Sequence, residues 1–263
     1  MELKDFQFNK NFGQNFLRDK NLLNAIVRDS GVSSADEVLE IGAGAGALTE
    51  AISKVAKKVV SFEIDKKLTE YLQEKFKNTN VEIIIADALK QPIEEIEKHF
   101  EQDYFIIANL PYYITSPLIF KFLEQTNRAR VITIMVQKEV AEKAVAKAGG
   151  ENYGILSVML QYYCNVEIKR IVKKEMFMPR PKVDSAILKL TRKENVEFDE
   201  KFTKFVGGIF AMKRKTLMNN LIKLGYPKEE ILPTLENNNI NPTTRSEKLT
   251  LNEIRQLFEK FNK

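Results

Sequence analysis

A chain of 263 residues exceeds a typical single domain of about 100–150 residues, so one large domain with a smaller appendage is expected. Its 44% hydrophobic and 29% charged residues match an ordinary globular composition, and no stretch approaches the ~20 apolar residues of a membrane span. A single cysteine, Cys164, excludes an intrachain disulfide, and with a single histidine, His99, it argues against a Cys/His metal site or a histidine-based nucleophilic triad; no metal is expected.

The opening MELKDFQFNKNFGQNFL interleaves charge with phenylalanine and lacks an apolar h-region, which points to a cytoplasmic protein. Residues 1–11 are polar and lysine-bearing, with no evident packing face, and are expected to be disordered without ligand. From residue 37 onward, short apolar runs alternate with amphipathic stretches, the pattern of a parallel sheet with crossover helices. Strands are expected at EVLEIG, KVVSFEI, VEIIIAD, YFIIANL, ARVITIMVQ, VEIKRIV and SAILKLT. Helices are expected at ALTEAISKVA, DKKLTEYLQEKFKN, SPLIFKFLEQ and KEVAEKAVAKAG. His99, in the charged run EEIEKHFEQD, reads as a solvated residue, and Cys164, in VMLQYYCNV, as core packing. Seven strands with interposed helices imply an α/β, Rossmann-like, doubly wound sheet whose ligand site lies beyond the carboxyl ends of the strands. The last two strands are joined through KKEMFMPRPKVD without a helix, so the sheet is expected to end in an antiparallel hairpin.

After LKLTRK the pattern turns purely helical. FDEKFTKFVGGIFAMKRKTLMNNLIKLG runs to a Gly stop, and Thr250 with Glu253 makes a capping box for LNEIRQLFEKF. The expected domains are 1–190 and 191–263, the second a small helical one. The net charge of +5 is uneven, with 14 Lys+Arg against 10 Asp+Glu in residues 191–263 and a dense cationic stretch at 169–193. Such a surface suits a polyanion such as nucleic acid, although most charge runs are solvated faces.

Four motifs carry chemistry. Glu40-Ile41-Gly42-Ala43-Gly44-Ala45-Gly46 is a glycine-rich turn between a strand and a helix, and Glu63 ends the next strand where a carboxylate can accept both ribose hydroxyls of a nucleoside cofactor. The pairing fits NAD or S-adenosylmethionine. The third glycine comes one residue too early for a pyrophosphate cradle, and an acidic residue followed by G-x-G-x-G resembles the first motif of S-adenosylmethionine methyltransferases. Asp87, at the end of the third strand, is placed to accept from the cofactor's adenine amino group. Asn109-Leu110-Pro111-Tyr112 ends the fourth strand. The Asn109 amide oxygen and the Leu110 carbonyl can accept the two N–H bonds of an adenine amino group, freeing a lone pair otherwise delocalised into the ring; Pro111 fixes the turn and Tyr112 stacks on the base. A base so held must be flipped out, and Phe177 in FMPRPKVD is the candidate for its other face, with Arg180 and Lys182 near phosphate.

Together these residues resemble the ribosomal RNA adenine dimethyltransferase family, a class I methyltransferase group, in its small-subunit branch. The resemblance covers nearly the whole chain: Phe12-Gly13-Gln14-Asn15-Phe16-Leu17, the motifs above, Tyr153-Gly154, Phe177 to Ser185, and Arg214-Lys215-Thr216-Leu217 with Asn219-Asn220-Leu221. It implies S-adenosylmethionine as cofactor, held by Gln14, Asn15, Leu17, Gly42, Gly44, Glu63, Asp87 and Asn109. It also implies dimethylation of two adjacent adenines near the 3′ end of 16S rRNA, with a part in ribosome biogenesis; a monomer is expected. Lys213, Arg214 and Lys215 are candidate RNA contacts, with a solvated helix end as an equal reading. Where bacterial members often have Asn after the Asn-Leu-Pro-Tyr motif, this chain has Tyr113. A 23S rRNA enzyme of the macrolide-resistance branch, a ribosome-assembly factor acting by binding, and a NAD-dependent oxidoreductase remain as alternatives.

Overall fold

The computed structural model describes residues 19–262 together with the backbone of Phe16 and Leu17. After β1 (Phe16–Leu17), helix α1 (Lys20–Ser30) opens on Asp19, whose carboxylate accepts from the amides of Asn21 and Leu22, and closes on Gly31 at φ 82°. Alternation follows: β2 (Glu37–Ile41), α2 (Ala47–Ser53), β3 (Lys58–Glu63), α3 (Thr69–Lys75), β4 (Val81–Ile85), α4 (Ile93–Glu97), β5 (Tyr104–Ala108), α5 (Tyr112–Gln125) and β6 (Ala129–Gln137). The chain then runs through α6 (Lys138–Val145), α7 (Ile155–Tyr163), β7 (Cys164–Val172), β8 (Phe177–Met178) and β9 (Ser185–Arg192). It ends in α8 (Glu200–Ile209), α9 (Leu217–Lys223), α10 (Lys228–Asn237) and α11 (Leu251–Phe261).

Seven strands form one sheet in the order β4-β3-β2-β5-β6-β9-β7, and β1 pairs with β8 in a separate two-stranded ribbon. Strands β2 to β6 are parallel, whereas β9 runs antiparallel to β6. All seven expected strands are present in the mostly parallel sheet. β2 is buried along its whole length, as a central strand covered on both faces must be. The chain winds outward from β2 to β4 and then returns across β2 to lay down β5 and β6, so the topological switch point falls between β2 and β5. Side chains from α1, α2, β2, β3, β5, β6 and β9 share a core that includes Ile26, Val38, Ile52, Val59, Ile107, Met135 and Ile187.

The described chain forms two compact units, one ending at Ala141 and completed by Glu167–Arg192, the other made of Glu142–Val166 and the residues from Lys193 on. The last junction lies between Arg192 and Lys193, and 142–166 groups with the C-terminal helices. The reason is aromatic: Tyr162 of α7 stacks on Phe202 at 4.0 Å, and Tyr163 stacks on Phe198 at 5.6 Å. Phe258 of α11 meets both Phe202 and Phe205.

The single helical stretch expected from Phe198 to Gly225 is two helices, α8 and α9, with a turn between them. A Cβ placed on Gly208 would lie 2.1 Å from a Leu224 methyl carbon, so the absence of that side chain lets the two helices close on one another. Thr250 and Glu253 form the expected capping box on α11. Cys164 is buried at the start of β7. His99 is not a freely solvated residue: its Nδ1 lies 2.8 Å from Glu82, and its carbonyl accepts from Lys58.

Candidate active site

Strand register collects the motifs. Ile41 pairs with Phe62 on β3 and with Ala108 on β5, and Glu63 pairs with Ile85 on β4. The residues that follow these strand ends, Gly42, Asp87 and Asn109, therefore emerge with Glu63 along one carboxyl edge, at the switch point.

The glycine turn needs its glycines for definable reasons. Gly42, Gly44 and Gly46 have φ of 85°, 53° and 74°, the left-handed region. A Cβ on Gly42 would stand 3.0 Å from the Leu110 side chain, and one on Gly46 2.7 Å from the ring of Phe76. The bare backbone at Gly42 thus faces Leu110 of the Asn109–Tyr112 tetrapeptide directly. Glu40 does not reach into this turn. Its Oε2 accepts from the hydroxyls of Thr49, at 2.5 Å, and Ser61, at 2.6 Å, which ties the start of α2 to β3. The carboxyl is fully buried, and that burial pushes its pKa up to about 7.

Glu63 is 2% exposed. One carboxylate oxygen accepts from the Gly44 amide at 2.7 Å and the other from the Asp65 amide at 2.8 Å. Each oxygen keeps a further lone pair, and the carboxylate is locked to the glycine turn, an acceptor set that fits a ribose diol. Asp87 follows β4; its Oδ1 accepts from the Leu89 amide at 3.1 Å, which turns the loop at that point.

Asn109 and Leu110 lead into Pro111, whose φ of −54° and ψ of 137° make it the N-terminal cap residue of α5. The helix begins at Tyr112, four residues earlier than the sequence pattern suggested. The Tyr112 hydroxyl is 2.7 Å from Ser185 Oγ at the start of β9, and half-burial raises its pKa. The next residue, Tyr113, is 67% exposed.

The loop before β9 differs from expectation. Phe177, assigned from sequence to the face of a flipped base, is 5% exposed and packs in the core with residues that include Leu23, Ile26 and Ile187. Its strand β8 is paired to Leu17 of β1. Arg180 is exposed and paired with Glu175; Lys182 is exposed.

The cationic stretch 169–193 is largely committed within the chain. Arg170 holds Asp29 at 2.5 Å, Lys173 holds Asp184 at 3.1 Å, and Arg192 is buried against carbonyl groups at the end of α5. In the helical unit, Lys213, Arg214 and Lys215 are exposed on the turn between α8 and α9 rather than on a helix end. Asn220, 1% exposed, shapes that turn by accepting from the Met212 amide and donating to the Met212 and Thr216 carbonyls. Gln14 and Asn15, the side chain of Leu17, and residues 1–11 lie outside the described residues.

Sequence reasoning passed over Ser185, Asp184 and Asn220 as individual side chains, although the family motifs contained all three. The available signal was a small or amide residue fixed next to a loop. Among the described residues no cluster of three His, Cys, Asp or Glu could hold a metal, and no helix is long and apolar enough to cross a membrane.

The family model "Ribosomal RNA adenine dimethylase" matches residues 5–263. The chain belongs to this family. It is 43% identical, over 98% of its length and 92% of the relative's, to the ribosomal RNA small subunit methyltransferase A of Bacillus mycoides. The enzyme also superposes on a dimethyladenosine transferase from Plasmodium falciparum with a TM-score of 0.81 and 30% identity, covering 94% of this chain and 97% of that one. A 23S rRNA methyltransferase, ErmE, gives a TM-score of 0.75 at 26% identity over 95% and 100% of the two chains. The enzyme is thus an rRNA adenine dimethyltransferase of the class I methyltransferase fold.

Proposed function

We propose that the enzyme uses S-adenosylmethionine to dimethylate the N6 amino groups of two adjacent adenines near the 3′ end of the small-subunit rRNA. The observation that carries this reading is the placement of Asn109-Leu110-Pro111-Tyr112 at the switch point, with Leu110 against Gly42 and Glu63 locked to Gly44. Glu63 would hold the cofactor ribose, Asp87 its adenine amino group, and the backbone of Gly42 and Gly44 its chain, with Gln14, Asn15 and Leu17 as further contacts by family resemblance. The cofactor supplies an electrophilic methyl group.

The protein's own part is positioning. The Asn109 amide oxygen and the Leu110 carbonyl accept the two N–H bonds of the target amino group and bring the nitrogen toward tetrahedral geometry. Pro111 fixes the carbonyl that precedes it, and Tyr112, tethered at its hydroxyl by Ser185, offers its ring face to the base. A general base is unnecessary before attack, because the methylated nitrogen is acidic and loses its proton to water afterwards. Arg180, Lys182, Lys213, Arg214 and Lys215 would contact phosphates. The higher identity to small-subunit relatives than to ErmE favours 16S over 23S rRNA.

The test is nucleoside analysis of unmethylated small subunits after incubation with cofactor. The wild-type enzyme is expected to yield N6,N6-dimethyladenosine, and Asn109→Ala to lower kcat by about 10²–10³-fold while still binding the particle. Product on any atom other than adenine N6, or full activity in the variant, would overturn the assignment.

A further inference from the structure

Two lysines outside the motifs hold the loops on which the cofactor reading rests. Lys75, the last residue of α3, donates from Nζ to the carbonyls of Ala45, at 3.1 Å, and Gly46, at 3.2 Å, on the glycine turn. Its ammonium lies 5.3 Å from the centre of the Phe76 ring, the ring that fills the space beneath Gly46, and 3.7 Å from Glu50. Lys121, in α5, donates to the carbonyl of Leu89 at 2.9 Å and to that of Gln91. These two carbonyls end the loop that Asp87 begins; the Asp87 carbonyl in turn accepts from the amides of Lys90 and Gln91. Burial lowers the Lys121 pKa, opposed by the charges of Asp87 and Glu94.

The chemistry of the ammonium accounts for both placements. It has three donors and no acceptor, so a partly buried one settles where several carbonyls converge. Each lysine supplies such a group to backbone that is neither helix nor strand, and so has few ladder partners of its own. Lys121 also stands nine residues after Tyr112 on the same helix, so the element that presents the target-base tetrapeptide also fixes the Asp87 loop.

We propose that Lys75 and Lys121 are positioning residues that preorganise the two cofactor loops from behind, Lys121 thereby linking the cofactor pocket to the target-base helix. This rests on the cofactor assignment made above. Substituting Lys by Met keeps the aliphatic stem and removes only the donors. The experiment is calorimetric binding of S-adenosylmethionine to Lys75→Met and Lys121→Met, together with amide hydrogen exchange of the full-length protein without cofactor. Dissociation constants are expected to rise about tenfold in each variant, the scale of one charge-assisted hydrogen bond.

Exchange is expected to accelerate at Gly46 and Glu50 in Lys75→Met, and at Leu89, Lys90 and Gln91 in Lys121→Met, with β2, β3 and β5 unchanged. Lys121→Gln, which keeps a donor, should fall between Met and wild type. Binding within twofold of wild type with unaltered loop exchange would overturn the proposal. So would accelerated exchange throughout the sheet, which would make the lysines general supports of the fold. If the wild-type enzyme failed to bind the cofactor, the cofactor assignment would fall, and the loop amides alone would decide whether the lysines act locally.

Discussion

At the scale of the residue, the carboxyl edge of the sheet uses acidic groups in two ways. Glu63 is fastened to the glycine turn and still has lone pairs to offer, whereas Glu40, next to that turn in sequence, is sealed inside and holds α2 to β3 through two hydroxyls. The Glu40 carboxyl has a folded-state pKa of about 7, above the ordinary 4.5. Between those two values the unfolded chain has released its proton and the folded chain retains it, so Glu40 makes stability fall as pH rises through this window. Glu40→Gln removes that dependence. The stability difference, wild type minus variant, is expected to become less favourable to wild type by up to about 3 kcal/mol from pH 5 to pH 8, measured by urea unfolding. Parallel pH profiles for the two proteins would show that Glu40 does not titrate in this range.

The motif spacing made it legible that Gly42, Glu63, Asp87 and Asn109 gather at one carboxyl edge of the sheet, because a glycine turn and strand-end polar residues leave a pattern in one dimension. What Glu40, Ser185 or Lys121 touches was not legible. Their partners lie far away in sequence: 21 residues separate Glu40 from Ser61, and 73 separate Tyr112 from Ser185. Phe177, buried in the core, shows the converse ambiguity, since an aromatic residue in a loop motif has the same sequence signature whether it faces a base or the core.

Among the elements, strands were easier to read than helices. Most strands of the sheet are short apolar runs, β7 alternates buried or half-buried with exposed residues, and all seven were recognised. The helix α1 passed unread although Asp19 and Gly31 bracket it, because it precedes the first strand of the alternating pattern. Helix α5 starts early because Pro111 is preorganised as its cap, while a reading by amphipathic pattern alone began at Ser116. The far end of α5 is finished by Arg192 of β9. Its guanidinium donates to the carbonyls of Phe122 at 2.8 Å, Leu123 at 3.2 Å and Thr126 at 2.6 Å, and to Asn127 Oδ1 at 3.1 Å. From sequence it counted as one more cation of a basic surface. Arg192→Met leaves those buried carbonyls without a donor and is expected to destabilise the protein by roughly 3 kcal/mol in denaturant titration. A change below about 0.5 kcal/mol would mean that the helix end finds other partners.

For the molecule as a whole, net charge was a weaker guide than its distribution. Of the cations in 169–193, Arg170, Lys173, Arg180 and Arg192 are engaged with groups of the same chain, which leaves the exposed turn at Lys213, Arg214 and Lys215 as the clearer candidate for phosphate. Replacing all three by Gln is expected to weaken RNA binding at low salt and to flatten the dependence of log K on log salt by about 0.7–0.9 for each phosphate no longer neutralised. Cofactor affinity should stay as it was. An unchanged salt slope would move the RNA-binding surface elsewhere.

The proposed function requires the site built around Asn109 and Glu63 to methylate adenine in the small ribosomal subunit. The most direct measurement follows methyl incorporation from labelled S-adenosylmethionine into unmethylated 30S subunits, with 50S subunits and naked 23S rRNA in parallel, and maps the modified nucleosides by mass. Label confined to two adjacent adenines near the 16S 3′ end is the predicted result. Label in 23S rRNA alone, or in none of the three substrates, would contradict it.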